Sequence, residues 1–99
     1  MFNVASQRSI MPQTILRLPS VKAASGYSRS TVYLRIAQGL WPKQVSLGAR
    51  AVGWPAAEVD ALNAARIAGK TDAEIRALVL RLEAARTAAD SITILAAPI

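Results

Sequence analysis

At 99 residues the chain is one small domain with room for a modest core, and it contains neither cysteine nor histidine. That composition removes disulfides, thiolate metal sites, the commonest metal ligand and the commonest general base, so an enzyme is not expected and no cofactor is implied. The formal charge of +6 is unevenly spread: residues 1–57 carry Arg8, Arg17, Lys22, Arg29, Arg35, Lys43 and Arg50 without an acid, and Glu58, Asp60, Asp72, Glu74, Glu83 and Asp90 all follow. The first half therefore faces a polyanion, either nucleic acid or an anionic membrane surface.

Residues 1–14 lack periodicity and read as a flexible arm whose one basic residue is Arg8. They have no continuous apolar run of the kind that drives secretion, and Met11, just before the first structured stretch, is a candidate translation start. Ile15 to Leu18 is a short apolar lead-in. Pro19 suits the first position of a helix running to about Ser25, with Leu18, Val21 and Ala24 toward the core. Lys22 points outward, where it can meet a phosphate.

The stretch Ser25-Gly26-Tyr27-Ser28-Arg29-Ser30-Thr31-Val32-Tyr33 reads as the turn and second helix of a helix-turn-helix. Gly26 supplies the positive φ that ends one helix, and Ser28 is an N-cap for the next. Tyr27 and Val32 have the spacing of a hydrophobic staple, and Gly39 followed by Pro42 closes the helix. A 3.6-residue period turns Val32 and Ile36 inward and leaves Ser30, Thr31, Leu34, Ala37 and Gln38 outside, between Tyr33 and Arg35. A small, hydroxyl-rich outer face between two arginines suits a DNA major groove, although an ordinary solvated helix carries similar residues.

Val45 and Leu47 alternate with Gln44 and Ser46, and Gly48-Ala49-Arg50 turns the chain so that Ala51 to Trp54 pairs back as a hairpin. A hairpin behind a helix-turn-helix reads as a wing, which puts Arg50 and Lys43 over the sugar-phosphate backbone or in the minor groove. Trp41 and Trp54 are expected to cover the core. Pro55 opens a third helix at its first position, with Val59, Leu62 and Ala65 buried, Glu58, Asp60 and Asn63 on a polar side, and Gly69 as stop.

Thr71-Asp72-Ala73-Glu74 matches a capping box and starts a helix to about Asp90. Ile75, Leu78, Leu82, Ala85 and Ala89 form its stripe, Asp72 with Arg76 and Glu83 with Arg86 are expected to pair along it, and Val79 and Leu80 broaden its apolar surface into a candidate dimer seam. Residues 92–99 form an apolar tail too short to span a membrane, no other stretch approaches spanning length, and a cytoplasmic location is the default.

Ile15-Leu16-Arg17-Leu18-Pro19-x-Val21, Gly26-x-Ser28-Arg29-Ser30-Thr31-Val32-Tyr33, Gly39-x-x-Pro42-Lys43, Leu47-Gly48-Ala49-Arg50-Ala51-Val52-Gly53-Trp54 and Glu58-Val59-Asp60 occur in that order. Together they resemble the AlpA family of phage-type regulators, related to excisionases and to the MerR-like winged helix-turn-helix, over about residues 15–68. The resemblance implies a winged helix-turn-helix over residues 15–69; with the C-terminal helix over 70–91 and the tail over 92–99, both read from the residues and outside the likeness, the expected fold is mainly α with a small β-hairpin. It further implies a double-stranded DNA partner, a role as transcriptional regulator or excisionase of a prophage or integrative element, and association with nucleoid DNA. On that reading Ser28, Arg29, Ser30, Thr31, Tyr33 and Arg35 contact DNA from the recognition helix, and Lys43 and Arg50 from the wing. Leu34 stands where a polar or basic residue is common, which suits a thymine methyl. A homodimer or oligomer on DNA and an integrase or RNA polymerase contact are further expected partners. The alternative function is an adaptor that docks an integrase, polymerase or repressor through the C-terminal helix.

Overall fold

The structure is a computed structural model that describes residues 14–96, and side chains as far as Thr87. Its elements are β1 (Ile15–Leu16), α1 (Leu18–Ser25), α2 (Arg29–Ala37), β2 (Val45–Ser46), β3 (Val52–Pro55), α3 (Ala56–Ile67) and α4 (Asp72–Ala96). Four helices thus accompany a small antiparallel sheet of order β1-β3-β2, a winged-helix-like arrangement in which α1 and α3 pack on β3 and α4 packs on α3. The expected arm, apart from Thr14, lies outside the described residues. The expected tail does so only from residue 97, because α4 continues to Ala96.

Local chemistry sets the turns. Gly26, at φ 77°, donates its N–H to the Lys22 carbonyl at 2.9 Å and ends α1. The α2 helix ends in a Schellman pattern: Gly39 N–H donates to Ile36 O and Leu40 N–H to Arg35 O, after which Leu40 and Trp41 enter the core. The same pattern closes α3, with Gly69 N–H to Arg66 O and Lys70 N–H to Ala65 O. The capping box forms as expected, Thr71 N–H donating to Glu74 Oε1 at 2.9 Å and Glu74 N–H to Thr71 Oγ1 at 3.2 Å. This hydrogen bonding to Thr71 holds the Glu74 carboxyl below its ordinary pKa.

One core unites these elements: Val21, Val32, Leu40, Trp41, Trp54, Val59, Leu62, Ala65, Ile75 and Val79. Trp54 is fully buried and donates its indole N–H to the Pro42 carbonyl at 2.9 Å, so both tryptophans are structural.

Several expectations are corrected. The lead-in is a strand, with Ile15 opposite Pro55 and Leu16 opposite Trp54, and Ala56 N–H donating to Thr14 O at 2.8 Å. Gly53 permits this pairing, because a Cβ there would lie 2.5 Å from Ile15 Cγ2 and 2.9 Å from the Leu16 carbonyl. Helix α1 begins at Leu18, with Arg17 as N-cap, and Pro55 is the N-cap of α3; each proline is one place from its expected slot, where a missing N–H still costs nothing. Ala24 is exposed and Ser25 half-buried, since a residue four places on from buried Val21 follows the helical face more closely.

Val79 is not surplus surface but core, 3% exposed, while Leu80 beside it is 68% exposed. Nor do the pairs expected along α4 form. Asp72 takes Arg66 instead, and Glu58, expected on the polar side of α3, is 6% exposed and paired with Arg86. Burial inverts the pattern there: a carboxylate cannot stay charged inside unless a cation from another element reaches it.

Candidate nucleic-acid interface

The α2 helix presents the face that its period requires. Val32 is buried and Ile36 partly so, while Ser30, Leu34, Ala37 and Gln38 are exposed and Thr31 is half-buried. Ser28 caps the helix, its Oγ accepting from Thr31 N–H at 3.2 Å, and its hydroxyl also donates to Thr31 Oγ1 at 2.9 Å. Ser30 Oγ lies 3.3 Å from the same hydroxyl. Ser28 therefore shapes the start of α2, and Ser30, Thr31 and the exposed Leu34 are what the helix offers outward.

Two aromatic columns orient the flanking arginines. The Arg29 guanidinium carbon lies 5.5 Å over the Tyr33 ring, which meets buried Trp54 edge-on at 6.4 Å. The Arg35 guanidinium carbon lies 5.8 Å over Tyr27, which meets Trp41 edge-on at 5.7 Å. Arg35 also donates from Nη1 to Gln38 Oε1 at 3.3 Å, and its Nε is buried with no hydrogen-bond partner. A cation on a ring face is stabilised by the ring quadrupole, so each arginine is held in place rather than swinging in solvent. The four-residue spacing of Arg29 and Tyr33 was a readable signal for one of these columns.

The hairpin turns tightly at Gly48-Ala49-Arg50. Leu47 N–H donates to Ala51 O and Ala51 N–H to Gly48 O, each at 2.8 Å, with Gly48 at φ 104° and Ala49 at φ 44°. Arg50 stands exposed at the tip. It shares a cleft of about 280 Å³ with Arg29, Tyr33 and a residue absent from the expected site, Arg17. Arg17 Nε donates to the Val52 carbonyl at 2.9 Å, which sets the guanidinium beside the hairpin.

The other assigned cations stand apart from that cleft. Lys43 is exposed at the base of the hairpin, in a groove with Ile36, Trp41 and Leu80; its N–H donates to Glu83 Oε2 at 2.8 Å and its carbonyl accepts from Arg86 Nη2 at 3.0 Å. Lys22 is exposed in the last turn of α1. Among the described residues the two salt bridges are Arg66–Asp72 and Arg86–Glu58, so no carboxylate pairs with a cation of the α1–β3 region. The described residues contain no His/Cys/Asp/Glu group able to hold a metal ion and no helix long and apolar enough to cross a membrane.

Residues 14–67 match the family model of the prophage CP4-57 regulatory protein (AlpA). The chain belongs to the AlpA family. The AlpA match begins just before β1 and ends on the last residue of α3, so it takes in the capped helix, the hairpin and all three cleft arginines and leaves α4 outside. The uncharacterized protein ORF88 of Enterobacteria phage P4 is 48% identical over 61 residues, which are 62% of this chain and 69% of that protein. No solved structure matches this AlpA-family chain. By family it is a phage-type regulatory protein.

Proposed function

We propose that the protein binds duplex DNA sequence-specifically, with α2 in the major groove and the β2–β3 hairpin on the adjacent backbone. In this role it is a transcriptional regulator or excisionase of a prophage or integrative element. The observation that carries this reading is the acid-free arginine cleft joining the N-terminus of α2 to the hairpin tip. A capped helix with small hydroxyl residues outside fits between the groove walls, and cations on either flank meet the phosphates. Ser30, Thr31 and Leu34 are then the base-edge contacts, with Arg35, held over Tyr27, at the far end of the helix. Lys43 and Lys22 serve as outlying phosphate contacts.

The test is selection of duplex fragments from the host genome by the purified protein at ~150 mM salt, where non-specific binding is weak. Enrichment of a short repeated motif near an integrase gene or attachment site supports the reading, and the repeat spacing gives the arrangement of protomers. Absence of enrichment by folded protein counts against it.

A second reading, docking of a protein partner through α4, is favoured by Leu80, which stands 68% exposed beside the groove containing Ile36 and Trp41. Removal of residues 71–99 cannot separate the readings, because it strips Ile75 and Val79 from the core. Leu80→Glu leaves that core intact. Duplex binding unchanged by it, with regulation lost in cells, favours the docking role.

A further inference from the structure

We infer that the cleft between α2 and the hairpin tip is the seat of one phosphodiester of the bound duplex, gripped jointly by Arg17, Arg29 and Arg50. This rests on the DNA-binding reading and adds to it a ligand group, a residue outside the expected site and a role for Arg29. The three guanidiniums come from three separate pieces of chain: the link before α1, the first residue of α2 and the β2–β3 turn. All three residues are exposed, and among the described residues none has a carboxylate partner.

Like charges gathered round one cleft repel, yet uncharged contacts hold two of them there. Arg17 is fastened through Nε to the Val52 carbonyl, which leaves both of its Nη groups to donate. Arg29 rests on the Tyr33 ring, which leaves its whole fork to donate. An anion in the cleft relieves the repulsion and takes these donors. A carboxylate offers two oxygens in one plane, which one fork can fill. A phosphodiester is tetrahedral and exposes two non-bridging oxygens with several lone pairs, so forks arriving from three directions can share it. Leu18 and Val52 supply an apolar wall for the sugar flanking the phosphate.

This seat has a consequence for recognition. A single phosphate held by residues of both α2 and the hairpin locks the wing to the helix and sets the register at which Ser30, Thr31 and Leu34 meet base edges. Arg29 is then a positioning contact and not a reader of guanine.

The test is a double-mutant cycle on duplex binding by the full chain, with Arg17→Gln, Arg50→Gln and both together. Each single change is expected to weaken binding about tenfold, as for loss of a charge-assisted hydrogen bond, and equally on preferred and unrelated duplexes. The double change should lose clearly less than the product of the two, because both act on one phosphate. Arg29→Gln with Arg50→Gln forms a second cycle without the Val52 contact, which keeps the test decisive if Arg17→Gln melts early. A series of duplexes with one neutral methylphosphonate at each position in turn should reveal a single phosphate whose neutralisation weakens the wild type clearly more than it weakens Arg50→Gln, in which Arg17 and Arg29 still hold it.

Independent losses in both cycles, with no such phosphate, overturn the shared seat while duplex binding itself stands. No duplex binding by folded wild type overturns the reading on which the seat rests, and the seat with it. In that event, titration of inorganic phosphate followed at the arginine Nε–H resonances shows whether the cleft holds any anion.

Discussion

The Arg86 guanidinium forks onto the Glu58 carboxylate across 28 positions of chain, Nε donating to Oε2 at 2.8 Å and Nη2 to Oε1. Nη2 also donates to the Lys43 carbonyl at 3.0 Å, so one side chain of α4 ties down both α3 and the base of the hairpin. The hydrogen bond to Glu58 holds the guanidinium above its ordinary pKa, which keeps the cation fully charged against its partial burial. Through this contact α4, which lies outside the family match, braces the part of the chain that carries the candidate interface.

Removal of one partner should be costly. Arg86→Ala leaves the Glu58 carboxylate buried and unpaired, and about 3 kcal/mol of stability should be lost in urea unfolding followed by tryptophan fluorescence. Arg86→Met with Glu58→Leu should cost less than Arg86→Ala alone, because no charge is then stranded. A double variant weaker than the single one would show that the pair stabilises beyond mutual neutralisation.

The capping box should carry a pH dependence. Glu74 is held below its ordinary pKa by the hydrogen bonds to Thr71, so folding favours its ionised form. Its contribution is fully present above the unfolded-state value of ~4.3 and is lost as pH falls through the lower folded value. Glu74→Gln keeps a side chain that can reach back to Thr71 and does not titrate. Its stability difference from wild type should therefore shrink as pH falls below about 4. An unchanged difference across that window would contradict the assignment.

Gly53→Ala should detach β1. The new Cβ meets Ile15 Cγ2 and the Leu16 carbonyl, and backbone cannot yield as a side-chain tip can. A loss of about 1–3 kcal/mol is expected, with faster hydrogen exchange at Ala56 N–H, whose acceptor is Thr14 O. Exchange at that amide matching wild type would show that the sheet accommodates the methyl.

Much of this was legible because it is local. The Ser28 cap, the Gly26 and Gly39 stops, the hairpin turn and the Thr71–Glu74 box are each set by residues within a few positions of one another, and each forms where the residues indicate. What was not legible is which distant groups meet. Glu58 and Arg86, Lys43 and Glu83, and Ile15 and Pro55 are chosen by packing, and nearest-neighbour spacing offered Arg76 and Glu83 as closer partners for Asp72 and Arg86. Gly53 did carry a signal, since a glycine inside an apolar strand marks a close backbone approach. Arg17 carried none: its place in the cleft depends on a hydrogen bond to a residue 35 positions away.

Leu34 should read a methyl group. It is 54% exposed on the outer face of α2, so Leu34→Ala should leave the melting temperature nearly unchanged. Replacement of the contacted thymine by uracil should weaken wild-type binding by ~0.8 kcal/mol, roughly fourfold, and leave the Leu34→Ala protein indifferent. Equal sensitivity of the two proteins at every thymine would remove Leu34 from the base contacts.

The central claim, sequence-specific duplex recognition through α2 and the hairpin, is tested most directly by one ratio. Fluorescence anisotropy at ~150 mM salt would compare the Kd for the genomic duplex that the protein selects with the Kd for a scrambled duplex of the same length and composition. The expected ratio is at least ~10³, in the range of specific regulators, collapsing toward unity when Ser30, Thr31 and Leu34 are all replaced by alanine in a protein that still melts normally. A ratio near unity for the wild type would contradict the account and leave a basic protein that holds DNA by charge alone.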